Sequence, residues 1–128
     1  MGWDAQAVRS KSDLNDIDWP KYDFNFLEAF RVANEELERR TCFSGLVAQG
    51  SLGGPAQEFL ARASPIPCYD SSNVDGELYW PPETVQQVQA SANWEFAVED
   101  IWDFCDYWAA RVFLRVCAEQ RLAIWFNW

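Results

Sequence analysis

The sequence predicts a mainly α fold: a small helical domain with one long C-terminal helix, an extended N-terminal arm and an irregular Gly/Pro-rich middle. Three observations carry this. Apolar residues recur at helical spacing over 24–41 and again, for longer, toward the C-terminus. Breakers cluster between them, at Gly50, Gly53-Gly54-Pro55 and Pro65-Ile66-Pro67. The chain has 128 residues, one domain's worth, with 49% hydrophobic and 23% charged residues, a globular composition.

Residues 1–20 are polar and acidic, punctuated by Trp3, Leu14, Ile17 and Trp19. They read as an extended arm ending at Trp19-Pro20, because a residue before proline avoids the α region. Residues 21–128 form the single helical domain. Its first helix covers about 24–41, where Phe26, Phe30, Ala33 and Leu37 make one apolar stripe. Asn25 and Glu28 are spaced as a capping box, and Arg39 and Arg40 suit the negative end of the helix dipole. A short helix is expected at about 55–63, with Pro55 in its first turn and Phe59 and Leu60 inward. Glu77–Trp80 reads as a short strand or an extended run.

Pro81-Pro82 then opens helical periodicity over about 83–122. Trp94, Val98, Ile101, Cys105, Trp108, Val112 and Val116 step by threes and fours, a seam for packing on other helices. The longest periodic segment, 93–122, has some 30 residues and as one helix would reach about 45 Å, longer than a domain this size is wide. From Phe104 onward the stretch is apolar all round, which demands burial on every side. The closing run Leu122-Ala-Ile-Trp-Phe-Asn-Trp128 folds back into the core or docks into another subunit, since left exposed it invites aggregation.

The charge balance narrows function. There are 10 Lys+Arg against 20 Asp+Glu, a formal charge of −10, which disfavours direct binding to nucleic-acid phosphates or to anionic membranes. The densest acidic clusters are Asp13, Asp16, Asp18, Asp23 and then Glu95, Glu99, Asp100, Asp103, Asp106. No His is present, so no mechanism uses imidazole as base, nucleophile or ligand. Cys42, Cys68, Cys105 and Cys117 show no C-x-x-C spacing and read as buried thiols, with a Cys42–Cys68 bridge left open. The start carries neither a basic n-region nor an apolar h-region, so a cytoplasmic protein without a signal peptide is expected. The 104–118 window is too short and too charged to span a bilayer.

Catalytic patterns are missing in turn. The loop Gly50-Ser-Leu-Gly-Gly-Pro55 lacks the Lys of a phosphate cradle and reads as a turn before a helix. Glu95, Glu99, Asp103 and Asp106 lie along one face of the expected helix and read as a solvated face rather than a metal or acid–base site. No catalytic residue, cofactor or metal is expected. The outstanding feature is eight Trp, on the arm, the long helix and the C-terminal tip. Trp fills cores, and it also anchors protein interfaces. Trp3, Trp19, Trp102, Phe113, Trp125 and Trp128 are the residues expected to contact neighbours.

The segment Trp19-Pro20-Lys-Tyr22-Asp-Phe24-Asn-Phe26-Leu27-Glu-Ala-Phe30, continuing to Arg40, resembles the opening helix of small virion proteins of tailed bacteriophages, found among tail, baseplate and fibre genes. The resemblance covers residues 19–40. It implies a structural subunit in several copies, located in the virion and assembled in the host cytoplasm, with no catalytic residues to carry over. The function expected is a non-catalytic structural or adaptor subunit, a homo- or hetero-oligomer with other protein subunits. The alternative is a small acidic inhibitor that blocks a basic groove on a nucleic-acid enzyme.

Overall fold

The computed structural model describes residues 4–8, 24–41, 47–48, 50–68 and 77–127. Along them run β1 (Asp4–Val8), α1 (Phe24–Thr41), β2 (Val47–Ala48), β3 (Ser51–Leu52), α2 (Gly54–Ala63), β4 (Glu77–Trp80), α3 (Pro82–Ser91), α4 (Ile101–Glu119) and β5 (Ala123–Asn127). The expected mainly α architecture is thereby corrected to α+β. The strands form one antiparallel sheet in the order β2-β3-β1-β5-β4. Helices α1 and α2 occupy the stretches where the apolar stripe and the Gly-Pro start place them.

The two segments furthest apart in sequence are neighbours in the sheet. Asp4 to Val8 pair with Asn127 to Ala123, so part of the presumed arm is an inner strand. Alternation explains the burial. Ala5, Ala7, Ile124, Phe126 and Trp80 stand on the core face, all nearly inaccessible. Gln6, Trp125 and Tyr79 are in register on the other face, half-buried. Trp80 meets Phe126 edge-on with ring centroids 4.6 Å apart. The β2–β3 hairpin turns at Gly50, whose φ of 79° favours glycine, and the Gly50 carbonyl accepts the Ala7 N–H at 2.8 Å.

The third helix expected, 83–122, is not continuous. It is two helices, α3 and α4, separated by 92–100. Local side chains break it. Asn93 Oδ1 accepts the Glu95 N–H at 2.9 Å, and Asp100 caps α4 by accepting the Trp102 N–H at 2.7 Å. The Asn93 N–H donates to the Ala63 carbonyl at the end of α2, 2.9 Å away, pinning the segment sideways. Ile101 consequently leaves the expected seam and is 63% exposed.

The other end of α4 is a Schellman turn. The Leu122 N–H donates to the Cys117 carbonyl at 2.8 Å and the Arg121 N–H to the Ala118 carbonyl at 3.2 Å. Arg121 adopts φ 54°, the left-handed conformation usually left to glycine. The turn sends the chain into β5 instead of extending the helix.

Between these ends α4 lies against α1, α2 and α3 and also touches β3. Its Ala109, Ala110, Val112, Phe113, Leu114, Val116 and Cys117 are buried. Phe113, expected at an interface, is instead a core residue with no exposure, 5.8 Å from the Phe30 ring of α1. Cys68 and Cys117 are buried free thiols, so Cys68 takes part in no bridge, and Cys105 is buried; Cys42 lies outside the described residues. Among the described residues no helix is long and apolar enough to cross a membrane.

Two stability outcomes follow. Phe113→Ala is expected to lose about 3–5 kcal/mol in urea denaturation, as a core cavity does, while Trp102→Ala stays within about 0.5 kcal/mol of wild type. Arg121→Gly is expected to gain about 1 kcal/mol by relieving the left-handed strain, read from the same urea midpoints. A loss on Arg121→Gly would mean that the side chain contributes more than its backbone costs.

Candidate functional site

The segment 92–100 folds back along the first half of α4 and builds an aromatic cluster around Tyr107. Trp94 and Phe96 meet the Tyr107 ring edge-on at 5.7 and 5.5 Å. Phe59 of α2 meets it at 6.3 Å, also edge-on, and stacks on Phe96 at 6.1 Å. Each such pair contributes about 0.5–1.5 kcal/mol beyond burial. The Tyr107 hydroxyl donates to the Trp94 carbonyl at 3.0 Å and accepts from Arg111 Nη1 at 2.8 Å. Arg62 lies 4.2 Å from the Phe96 ring centroid, a cation–π contact at the cluster's edge.

The cluster continues outward. Phe104 packs on Tyr107 and Trp108 at 6.5 and 6.0 Å yet remains partly exposed. Beside it in the first turn of α4, Ile101 and Trp102 are each 63% exposed. Asp100 precedes these residues and Asp103 stands between Trp102 and Phe104, with Asp106 one turn on and Glu95 and Glu99 earlier in the connecting segment. Burial pushes the Asp106 carboxyl above the ordinary aspartate range, and the charges of Asp103 and of Glu58 on α2 push it the same way. The result is an exposed apolar start of α4 with carboxylates before, within and after it in the chain.

The acidic residues are not arranged as the sequence suggested. Glu95 and Glu99 lie in the connecting segment, not on a helix with Asp103 and Asp106. No group of His, Cys, Asp and Glu fit to hold a metal ion occurs among the described residues. The thiols are poor nucleophiles as placed. Burial raises Cys68 to about 12 and Cys117 well above its usual value, so both stay protonated at neutral pH.

Of the residues expected to contact neighbours, Trp102 stands on the exposed face, Trp125 is half-buried on the outer side of β5, and Phe113 is in the core. Trp3, Trp19 and Trp128 lie outside the described residues. Sequence reasoning missed Ile101, placed in the core seam, and Phe104. Asp100 was the available signal: a strong N-cap type followed by Ile-Trp puts both side chains on a first helical turn that little covers.

Two depressions flank α4. A shallow groove of about 560 Å³ lies between α1 and α4, lined by Val32, Ala33 and Val116 with Glu28, Glu36 and Glu119 at its sides. Arg115 of α4 crosses to Glu36 there at 3.0 Å. A recess of about 340 Å³ lies by the aromatic cluster, lined by Trp94, Trp108, Val112, Gln89, Arg111 and Arg115.

Compared with protein-family models, with curated proteins and with solved structures, the chain finds no significant match.

The raised Asp106 carboxyl sets a pH dependence. Between the ordinary value of 3.8 and its higher native one, the folded chain holds more protons than the unfolded chain, so stability falls as pH rises through that window. We expect Asp106→Asn to match wild type at about pH 3, where the carboxyl is protonated in both states, and to exceed it at about pH 7. Urea midpoints across that range check this, and a difference that does not grow with pH contradicts it.

Proposed function

We propose that this chain is a non-catalytic adaptor or structural subunit that binds another protein through the exposed start of α4. The observation that carries the reading is the pair Ile101 and Trp102, each 63% exposed on one helical turn and framed by Asp100 and Asp103. Trp in an apolar centre with a charged rim is the composition of an interface hot spot. The partner surface is therefore apolar at its centre and rich in Lys and Arg at its rim. A second copy of this chain suits the face poorly, since it would set carboxylate rim against carboxylate rim in a chain of charge −10. A tailed-phage virion, the setting implied by the resemblance over 19–40, is the assembly we propose.

The acidic-inhibitor reading uses the same face differently. It is favoured by the concentration of Glu95, Glu99, Asp100, Asp103 and Asp106 within one stretch. In that case charge dominates and the apolar pair adds little.

Affinity capture from the native source, followed by direct titration of the captured protein, separates the readings. Trp102→Ala is expected to weaken binding by about 2 kcal/mol, near thirtyfold. The triple variant D100N/D103N/D106N keeps an Asn cap on α4 and is expected to flatten the salt dependence of binding. If only the triple variant loses binding, the inhibitor reading replaces the adaptor one. If neither variant changes affinity, the face is not the contact surface.

A further inference from the structure

We propose that the recess between 92–100 and α4 binds a small planar ring carrying an acidic group. Its volume of about 340 Å³ suffices for one or two rings with a substituent, at the small end of ligand sites. Trp94 and Trp108 line it, and indoles present faces on which a flat ring stacks.

Arg111 supplies the acid-binding group. Its guanidinium carbon lies 5.1 Å from the Trp108 ring centroid, 5.9 Å from that of Tyr107 and 6.0 Å from that of Trp94. One of its nitrogens donates to the Tyr107 hydroxyl at 2.8 Å, which fixes the group against the cluster. Among the described residues no carboxylate forms an ion pair with it, whereas Arg115 is paired with Glu36 and Glu119, and Arg31 with Glu28 and Glu35. In a chain with 20 acidic residues, this cation is held in place by rings instead of by charge. A guanidinium has five N–H donors in a fork suited to carboxylate or phosphate oxygens, so donors remain for a ligand.

Gln89 supplies the third element. It lines the recess, and its side-chain carbonyl oxygen is buried and accepts no hydrogen bond from the described residues. A buried acceptor left unmatched costs free energy, which a ligand N–H recovers once the Gln89 amide turns toward the recess. Ring faces, a guanidinium and an unmatched acceptor together select a planar, N–H-bearing ring with a carboxylate or phosphate. The recess is not lined by Ile101 or Trp102 of the docking face, and its test reads a different event.

Isothermal titration of the full chain with indole-3-carboxylate and with adenosine monophosphate tests it, with indole and inorganic phosphate as single-feature probes. We expect at least one acidic ring to bind with Kd below about 1 mM, and its identity shows whether carboxylate or phosphate is preferred. Arg111→Gln, an exposed position whose folding circular dichroism verifies, is expected to weaken that binding about tenfold or more. Arg111→Lys retains the charge and is expected to recover part of it. The proposal is overturned if neither acidic ring binds, if indole or phosphate alone binds as tightly, or if R111Q binds like wild type.

Discussion

Helix α4 is buried on most of its sides from Cys105 to Ala118, leaving Arg111 and Arg115 toward solvent, and the architecture follows from covering it. One neighbour cannot hide such a helix, because each contact covers only a stripe. Three helices and the sheet share the task, with Phe30 of α1 packed against Phe113 and α2 along another side. Among the described residues, many of the ring side chains are absorbed in this way. Trp80 is buried, Trp94 and Trp108 pack half-buried by the core, and of the described Trp residues only Trp102 is mostly exposed.

Covering α4 also explains why the connection at 92–100 is bent. A rod continuing from α3 into α4 would carry its apolar length past the edge of so small a domain. The reversal instead returns Trp94 and Phe96 onto Tyr107, whose hydroxyl is tied to the Trp94 carbonyl on one side and Arg111 on the other. That knot of rings has two consequences for function. It projects Phe104, Trp102 and Ile101 outward at the start of α4, and it leaves a recess beside Arg111. Both proposed sites are by-products of one packing solution. Gln57 of α2 is fully buried, with neither its side-chain nitrogen nor its oxygen hydrogen-bonded among the described residues, and Gln6 Oε1 is likewise buried without a hydrogen bond there.

The helices were legible where their signal is local. Phe30 and Ala33 mark the buried stripe of α1, and Gly53-Gly54-Pro55 opens α2, because cap and periodicity act within a turn or two. Trp102, expected to face a neighbour, is the exposed Trp of α4. Phe113, expected to contact a neighbour, is in the core, because a helix with apolar residues on most of its sides does not reveal which of them are covered within the chain. The break between α3 and α4 was partly legible: Asn93 and Asp100 are residue types that prefer caps, yet helical spacing runs unbroken through them.

By itself, then, the sequence determined the chemistry available: a chain without imidazole, strongly acidic, rich in indole, with an apolar helix that must be enclosed. Only the tertiary structure decided how it is enclosed. The strand Asp4–Val8 has weak strand-forming residues and gains its place from β5 and β3 beside it, while β5 becomes an inner strand only because β1 and β4 flank it. Those pairings join the two ends of the chain, and strand stability resides in such cross-strand contacts, not in a run read alone. The position of Arg111 is decided partly in this way: Tyr107 and Trp108 sit four and three residues before it on its own helix, and the fold adds Trp94 from 92–100.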